Sequence, residues 1–312
     1  MVKSLVSNPL LKYSAEKLLH EANPKGKPYF KDTHFNKMIF LVYKSLKEQD
    51  IDIELPYCWY KHGTLIHRDT FYHRVGLPID YYISRTNKNS TRAFPRLPKS
   101  DLKSSIRRII DEVVLTVISN FRKNDKYFIK GYLTPLLDAD YAYAPYEFQR
   151  IFKRGFEKYL NDFKTPARKQ IPRHLSLSTH EVECINNYLD ELICVFPDDF
   201  ETLKDGYLDW DDTVRICLDC DQDAFLKNVD NFWEIFSKYL RISHYENIPP
   251  EHIENWKFKL FTQEYPSYQD LLALERKRLL KVWESHTSLN EATLDRVKKV
   301  NKIAFECAIR RS

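Results

Sequence analysis

A mainly α-helical protein with one small β-hairpin near its N-terminus is the fold class that the sequence predicts, and three observations carry it. Apolar residues recur with a period near 3.6 over most of the chain. One short stretch, from Ile51 to Trp59, alternates apolar and polar residues with period two. The chain has only 6 Gly among 312 residues, too few for the strand-to-helix turns of a nucleotide-binding α/β fold, and neither GxGxxG nor GxxxxGK occurs.

Residues 3–22 read as a first helix, stopped by Asn23-Pro24-Lys25-Gly26. A second helix follows Asp32-Thr33, with Phe35, Met38, Ile39, Val42 and Leu46 on one face. Ile51, Ile53, Leu55, Tyr57 and Trp59 then form the buried side of a strand. Pro56 cannot donate to a ladder, so the expectation is an edge strand or two short pieces. Lys61-His62-Gly63 is the expected turn, and Thr64 to His67 the return strand. The unit is a helix followed by a hairpin, as in the wing of a winged helix.

Residues 84–100 carry Arg85, Lys88, Arg92, Arg96 and Lys99 with two prolines and little apolar content, the composition of an exposed linker. A helix over 101–122 is apolar enough to be a central packing helix. Another, over 146–161, places Phe148, Ile151, Phe152, Phe156 and Tyr159 inward and Arg150, Lys153, Arg154 and Lys158 outward. A basic, proline-bounded connection over 165–174 closes this part. Beyond it helices are expected up to Pro197, before Pro249-Pro250, and over about 267–285 and 289–309. The predicted organisation is a winged-helix-like module at 1–83, a linker at 84–100, a basic helical segment at 101–174, and an acidic-then-mixed helical domain at 175–312.

Charge is partitioned along the chain. Residues 1–180 hold 32 Lys+Arg against 18 Asp+Glu, net +14, whereas residues 181–234 hold 3 against 16, net −13. A basic block favours approach to a phosphate backbone through counterion release. The acidic block repels the same ligand; it suits a basic protein partner, a second copy of the chain, or compensation within the fold. Lys61, His62, Arg68, Arg74, Arg85, Lys88, Arg92, Arg96, Lys153 and Arg154 are the candidate nucleic-acid-binding residues.

Catalytic and metal motifs are weaker. Cys217-x-x-Cys220 lacks the second ligand pair of a structural zinc. Asp219-Cys220-Asp221-Gln222-Asp223-Ala224 imitates a calcium loop but has Ala224 where the turn needs glycine, so Asp221 or Asp223 is expected to cap a helix instead. His62, His67 and His73 lie near Asp69 without a placed nucleophile. Asp209, Asp211 and Asp212 are candidate acids for a metal-dependent, nuclease-like enzyme, but without a recognised spacing of such sites. No cofactor is expected. The first residues lack the apolar core of a leader and no run is long enough to span a membrane, which predicts a cytoplasmic protein.

One resemblance adds to this reading. Phe35-Asn36-Lys37-Met38-Ile39-Phe40, followed by Leu55-Pro56-Tyr57-Cys58-Trp59-Tyr60-Lys61-His62-Gly63-Thr64-Leu65, resembles the Panacea (SocA-like antitoxin) domain. In that family a K-[LM]-[LI]-[YF] helix precedes an aromatic strand and a Y-x-x-Y-G-P-V turn. Lys37, Met38, Ile39 and Phe40 match the helix, and Tyr57, Tyr60, Gly63 and Leu65 match the turn; Thr64 stands where the family favours proline. The likeness covers about residues 30–75. It implies a mainly α module in a toxin–antitoxin or phage-defence setting that acts by binding a protein or DNA rather than by catalysis. The purely structural alternative is a subunit of a larger assembly.

Overall fold

The computed structural model describes residues 7–22, 32–76, 101–121, 133–161, 177–285 and 299. It is mainly helical with a small antiparallel sheet, as the periodicities predict. No helix of the described residues is long and apolar enough to cross a membrane. The chain forms two compact units, one comprising 1–143 with 240–254, the other 144–239 with 255–312. The first break between these units falls at 143/144, and a short segment from late in the sequence completes the first unit. The expected linker at 84–100, the connection at 165–174 and the helix at 289–309 lie outside the described residues, apart from residue 299.

In the first unit, α1 (Pro9–Ala22), α2 (Asp32–Lys47), α3 (Arg68–Val75), α4 (Ser104–Asn120) and α5 (Leu133–Tyr141) surround the strands β1 (Tyr57–Tyr60) and β2 (Gly63–Ile66). The central helix is α2, not α4 as its apolar content suggested. It packs against α1, α4, α5 and β2, and Phe35, Met38, Ile39, Phe40, Val42, Tyr43 and Leu46 are all fully buried. A helix covered on several sides buries polar residues too, and Asn36 and Lys37 are among them.

The strand predicted from Ile51 begins only at Tyr57. Asp50 and Glu54 take left-handed φ of 58° and 48°, and Glu54 N donates to Asp52 Oδ1 at 2.7 Å, so the preceding residues coil instead of extending. Ile53 and Leu55 are still fully buried, as the alternation predicts, but Pro56 and Cys58, expected on the polar side, are buried as well. Nor is β1 an edge strand. A third strand, β3 (Tyr245–Glu246), pairs with it antiparallel, giving the order β2-β1-β3. Pro56 sits just before the ladder, where its carbonyl accepts from His67 N at 2.9 Å and its missing N–H costs nothing.

The second unit is built on an aromatic cluster. Residues Glu147–Arg150 begin a helix, α6, that widens into a π-helical turn over Ile151–Phe156. Phe148, Phe152 and Phe156 enter a core with Tyr207 and Trp210 of α8 (Glu201–Cys220) and Phe225, Phe232, Trp233 and Phe236 of α9 (Gln222–Ser243). The 20 Tyr and 19 Phe of the sequence find their use in such clusters. α7 (Thr179–Cys194) opens with a capping box in which Ser178 and Glu181 satisfy each other's backbone N–H groups. α10 (Pro250–Lys259) runs through a second π-turn, Leu260–Glu264, into α11 (Tyr265–Ser285). α11 packs against α8, where Gly206 makes room for Tyr265: a Cβ there would lie 2.6 Å from the phenol oxygen, which donates to Thr202 O.

Candidate nucleic-acid interface

The hairpin is held from below by a buried polar lock. Register pairs Trp59 with Thr64 and Tyr60 with Gly63, leaving the N–H and C=O of Thr64 pointing away from β1 toward an open sheet edge. Side chains of other elements take the place of a fourth strand there. Lys37 Nζ donates to Thr64 O at 2.8 Å, Asp140 Oδ2 of α5 accepts from Thr64 N at 3.0 Å, and Asn36 Oδ1 accepts from Ile66 N at 3.1 Å. Thr64 Oγ1 donates to Asp140 Oδ1. Lys37 and Asp140 close the lock with an ion pair of 2.9 Å, and they are 2% and 0% exposed. Burial pulls the Lys37 ammonium below its ordinary pKa, against which the Asp140 charge works.

Gly63 is required by this arrangement. Its φ is +87°, and a Cβ would sit 2.0 Å from Asp140 Oδ2 and 2.7 Å from Lys37 Nζ. Lys37 and Gly63, both part of the resembled motif, thus meet at one point. Thr64, the departure from that motif, supplies the N–H and hydroxyl that Asp140 binds.

The other end of β1 is tied to β3 through Glu246. Its carboxylate accepts from Tyr57 OH at 2.8 Å, Lys47 Nζ at 3.2 Å and Tyr43 OH. Burial works against the Glu246 charge, yet these donors hold its carboxyl below the ordinary range. The two phenols are driven above theirs by burial and then by the Glu246 carboxylate.

With the hairpin fixed, its turn presents Lys61, half-exposed, and His62, exposed. The last turn of α9 and the residues after it add groups that the sequence did not assign. The Arg241 guanidinium lies 5.1 Å from the Tyr60 ring centroid, and His244 O accepts from Trp59 N at 2.9 Å. The rings of His67 and His252 face each other at 4.5 Å. Burial lowers the His67 pKa, and His252 and Arg241 lower it further against the pull of Asp69. The Arg241 guanidinium thus lies beside Tyr60, the residue that precedes the Lys61-His62 turn, and its charge reaches His67, whose ring neighbours that of His252. Arg241 is 180 positions from Lys61 in sequence. It stands in the last turn of α9, and nothing local in the sequence marks that placement.

Other candidates fall elsewhere. Arg68, at the start of α3, pairs with Asp32 at 2.6 Å. Arg74 is a structural residue: it donates to Glu54 O at 2.7 Å, pairs with Glu54 Oε2 at 3.6 Å, and so fastens the coil before β1 to α3. Arg85, Lys88, Arg92 and Arg96 lie outside the described residues. Lys153, expected on the outer face of its helix, is buried in the second unit, paired with Glu157 and 4.9 Å from the Trp233 ring. The i→i+5 bonds of the π-turn change the angular step along the helix, so a face drawn at 3.6 residues per turn loses its phase there. Arg154 is half-exposed in the same unit.

The acidic block is partly compensated inside its own unit. Arg215, 3% exposed, bonds Asp211 at 2.8 Å, Asp190 at 2.9 Å and Asn186 Oδ1 at 3.1 Å. Arg276 of α11 bridges Asp209 and Asp212 at 2.8 and 3.2 Å, and Arg278 pairs with Asp221 at 2.7 Å. Asp221 also accepts from Ala224 N at 3.0 Å, the expected cap of α9. Cys217 is a core thiol that accepts from Asn228 Nδ2 and is pushed up to about 12, mainly by burial. Asp198, Asp199, Glu201, Asp205, Asp209, Asp223 and Asp230 remain exposed.

Comparisons with protein-family models, with curated proteins and with solved structures found no match.

Proposed function

We propose that this is a non-enzymatic binding protein whose first unit contacts a nucleic-acid backbone through the hairpin turn and the Arg241 segment. The observation that carries the reading is the Arg241 guanidinium beside Tyr60, next in sequence to Lys61 and His62 on a turn whose base is tied down by a buried ion pair. A fixed platform loses little conformational entropy on binding, and cations beside an aromatic ring suit phosphate with a stacked base. The first unit holds 25 Lys+Arg against 18 Asp+Glu, net +7, while the second holds 24 against 26, net −2. The exposed carboxylates of α8, α9 and the turn before α8 form the complementary part of the proposal, a surface for a basic protein or a second copy of the chain. The Panacea-like motif fits an antitoxin or phage-defence role for such a protein, since its Lys37 and Gly63 are the residues that hold the turn.

The test is a mobility shift of the full chain on duplex and single-stranded DNA and RNA over a salt series. The full chain is needed because residues 240–254 complete the first unit. With about four phosphates neutralised, log K falls with log salt at a slope of about −4 on B-DNA. Arg241→Ala lowers the steepness by about one, whereas Lys153→Ala leaves the slope unchanged. Failure to shift any nucleic acid at low salt refutes the proposal.

A further inference from the structure

Beside the Glu246 tie, four aromatic rings lie within 6 Å of one ammonium. Lys44 Nζ lies 5.3 Å from the ring centroid of Phe40, 5.6 Å from Tyr43, 5.9 Å from Tyr57 and 5.8 Å from Tyr143. Three of these rings form a rigid floor, with Phe40, Tyr43 and Tyr57 at 0%, 0% and 5% exposure. Tyr143, at 40%, is the wall that meets solvent. The rings brace one another, Phe40 with Tyr57 at 4.9 Å and with Tyr143 at 5.9 Å, and the two buried phenols are fixed by Glu246. We propose that these rings form a binding site for a methylated ammonium group, with the Lys44 side chain as its displaceable resident.

Size is the first reason. A bare ammonium 5.3 to 5.9 Å from these ring centres leaves a gap between itself and the ring floor. A methyl directed into the floor on an N–C bond of about 1.5 Å would come to within about 3.8 to 4.4 Å of a ring centre it points at, close to the best carbon–carbon separation of about 3.5 to 4.0 Å. The cage is too wide for the cation it holds and fits its methylated counterpart.

Solvation is the second. A primary ammonium gives up hydrogen bonds with water on entering an aromatic cage and receives none from ring faces. A quaternary ammonium has no N–H to lose, which is why aromatic cages select methylated cations. Lys44 makes no ion pair among the described residues to offset that loss. Burial lowers its pKa, with the Glu246 charge opposing and Lys47 assisting. The Glu246 charge would attract an incoming cation in the same way. Lys44 is itself only half-buried, so its stem can swing toward solvent and vacate the cage.

This inference does not rest on the nucleic-acid reading. The full chain is titrated with tetramethylammonium chloride against sodium chloride at equal ionic strength, followed by the tyrosine ring resonances. Wild type binds weakly because Lys44 competes. Lys44→Ala, and Lys44→Ser as a second way to empty the cage, are expected to bind at least about ten-fold tighter, with that gain lost in Lys44→Ala/Tyr143→Ala. Choline and a trimethyllysine peptide then distinguish a free small cation from a protein-borne one, and tighter binding of either supports the site. The proposal is overturned if both emptied variants, folded by their Trp59 environment, bind no tighter than wild type, or if removing the Tyr143 ring changes nothing. Unfolding of both emptied variants would also overturn it, since Lys44 would then be a structural element rather than a displaceable resident.

Discussion

Replacing Lys37 by methionine keeps most of the side-chain volume and removes the cation from the lock beneath the hairpin. Asp140, 0% exposed, would keep its bonds from Thr64 N and Thr64 Oγ1 but lose its counter-charge, and Thr64 O would lose its donor. Removing one partner of a buried ion pair costs about 3 to 5 kcal/mol because the other charge stays desolvated. In many proteins a hydrophobic replacement of both partners recovers that loss. Here it should not. Lys37→Met/Asp140→Leu removes the stranded charge but leaves the Thr64 N–H and C=O without partners, at about 1 to 3 kcal/mol each. Both variants should therefore be destabilised by several kcal/mol, and the double should stay well below wild type. Trp59 is the sole tryptophan of the first unit among the 5 in the chain, is 3% exposed and touches Tyr141 of α5. The 19F resonance of 5-fluorotryptophan at position 59, followed through a urea series, thus reports this unit alone. A Lys37→Met cost below about 1 kcal/mol, or a double variant as stable as wild type, would refute the claim that the pair substitutes for a missing strand.

Trp59→Ala should cost about 3 to 5 kcal/mol by leaving a cavity against Phe40 and Tyr141, while Lys61→Ala on the turn stays within about half a kcal/mol; urea melts rank the two. Two groups of the first unit contribute to its acid response in opposite pH ranges. His67 binds its proton less readily folded than unfolded, so stability falls as pH drops below 6.5, and His67→Gln removes that step from a pH series of urea midpoints. Glu246 has a depressed folded pKa, so its contribution is present above 4.5 and lost as pH falls through the folded value; Glu246→Gln flattens the curve there. In the second unit, Arg276→Ala uncovers Asp209 and Asp212, and light scattering with a basic partner should then show association that is stronger at low salt and more steeply weakened by added salt.

Periodicity and turn chemistry determined much of this protein. Helical spacing placed α2, α7 and α9, the alternation placed Tyr57 and Trp59 in the core, and Lys61-His62-Gly63 placed the turn, because each signal is written within one or two turns of chain. Burial of a charge is not local. Lys37 reads in sequence as a polar residue next to Asn36, off the apolar face of its helix; its place inside the core is decided by Asp140, more than a hundred residues away, and by the open edge of β2. The same holds for Arg241, which β3 brings beside Tyr60, and for Lys153, turned inward by a π-turn that no 3.6-residue period anticipates. Block charge located an excess of cations in the first half of the chain, but side-chain partners decide which cations face outward. Arg74 and Arg68 have carboxylates within reach, and the acidic block finds Arg276 and Arg278 on a helix that follows it in sequence. Sequence fixes which faces are apolar because hydrophobic burial needs no particular partner. Ion pairs, edge caps and aromatic cages require groups at set distances, and only the tertiary fold brings those groups together.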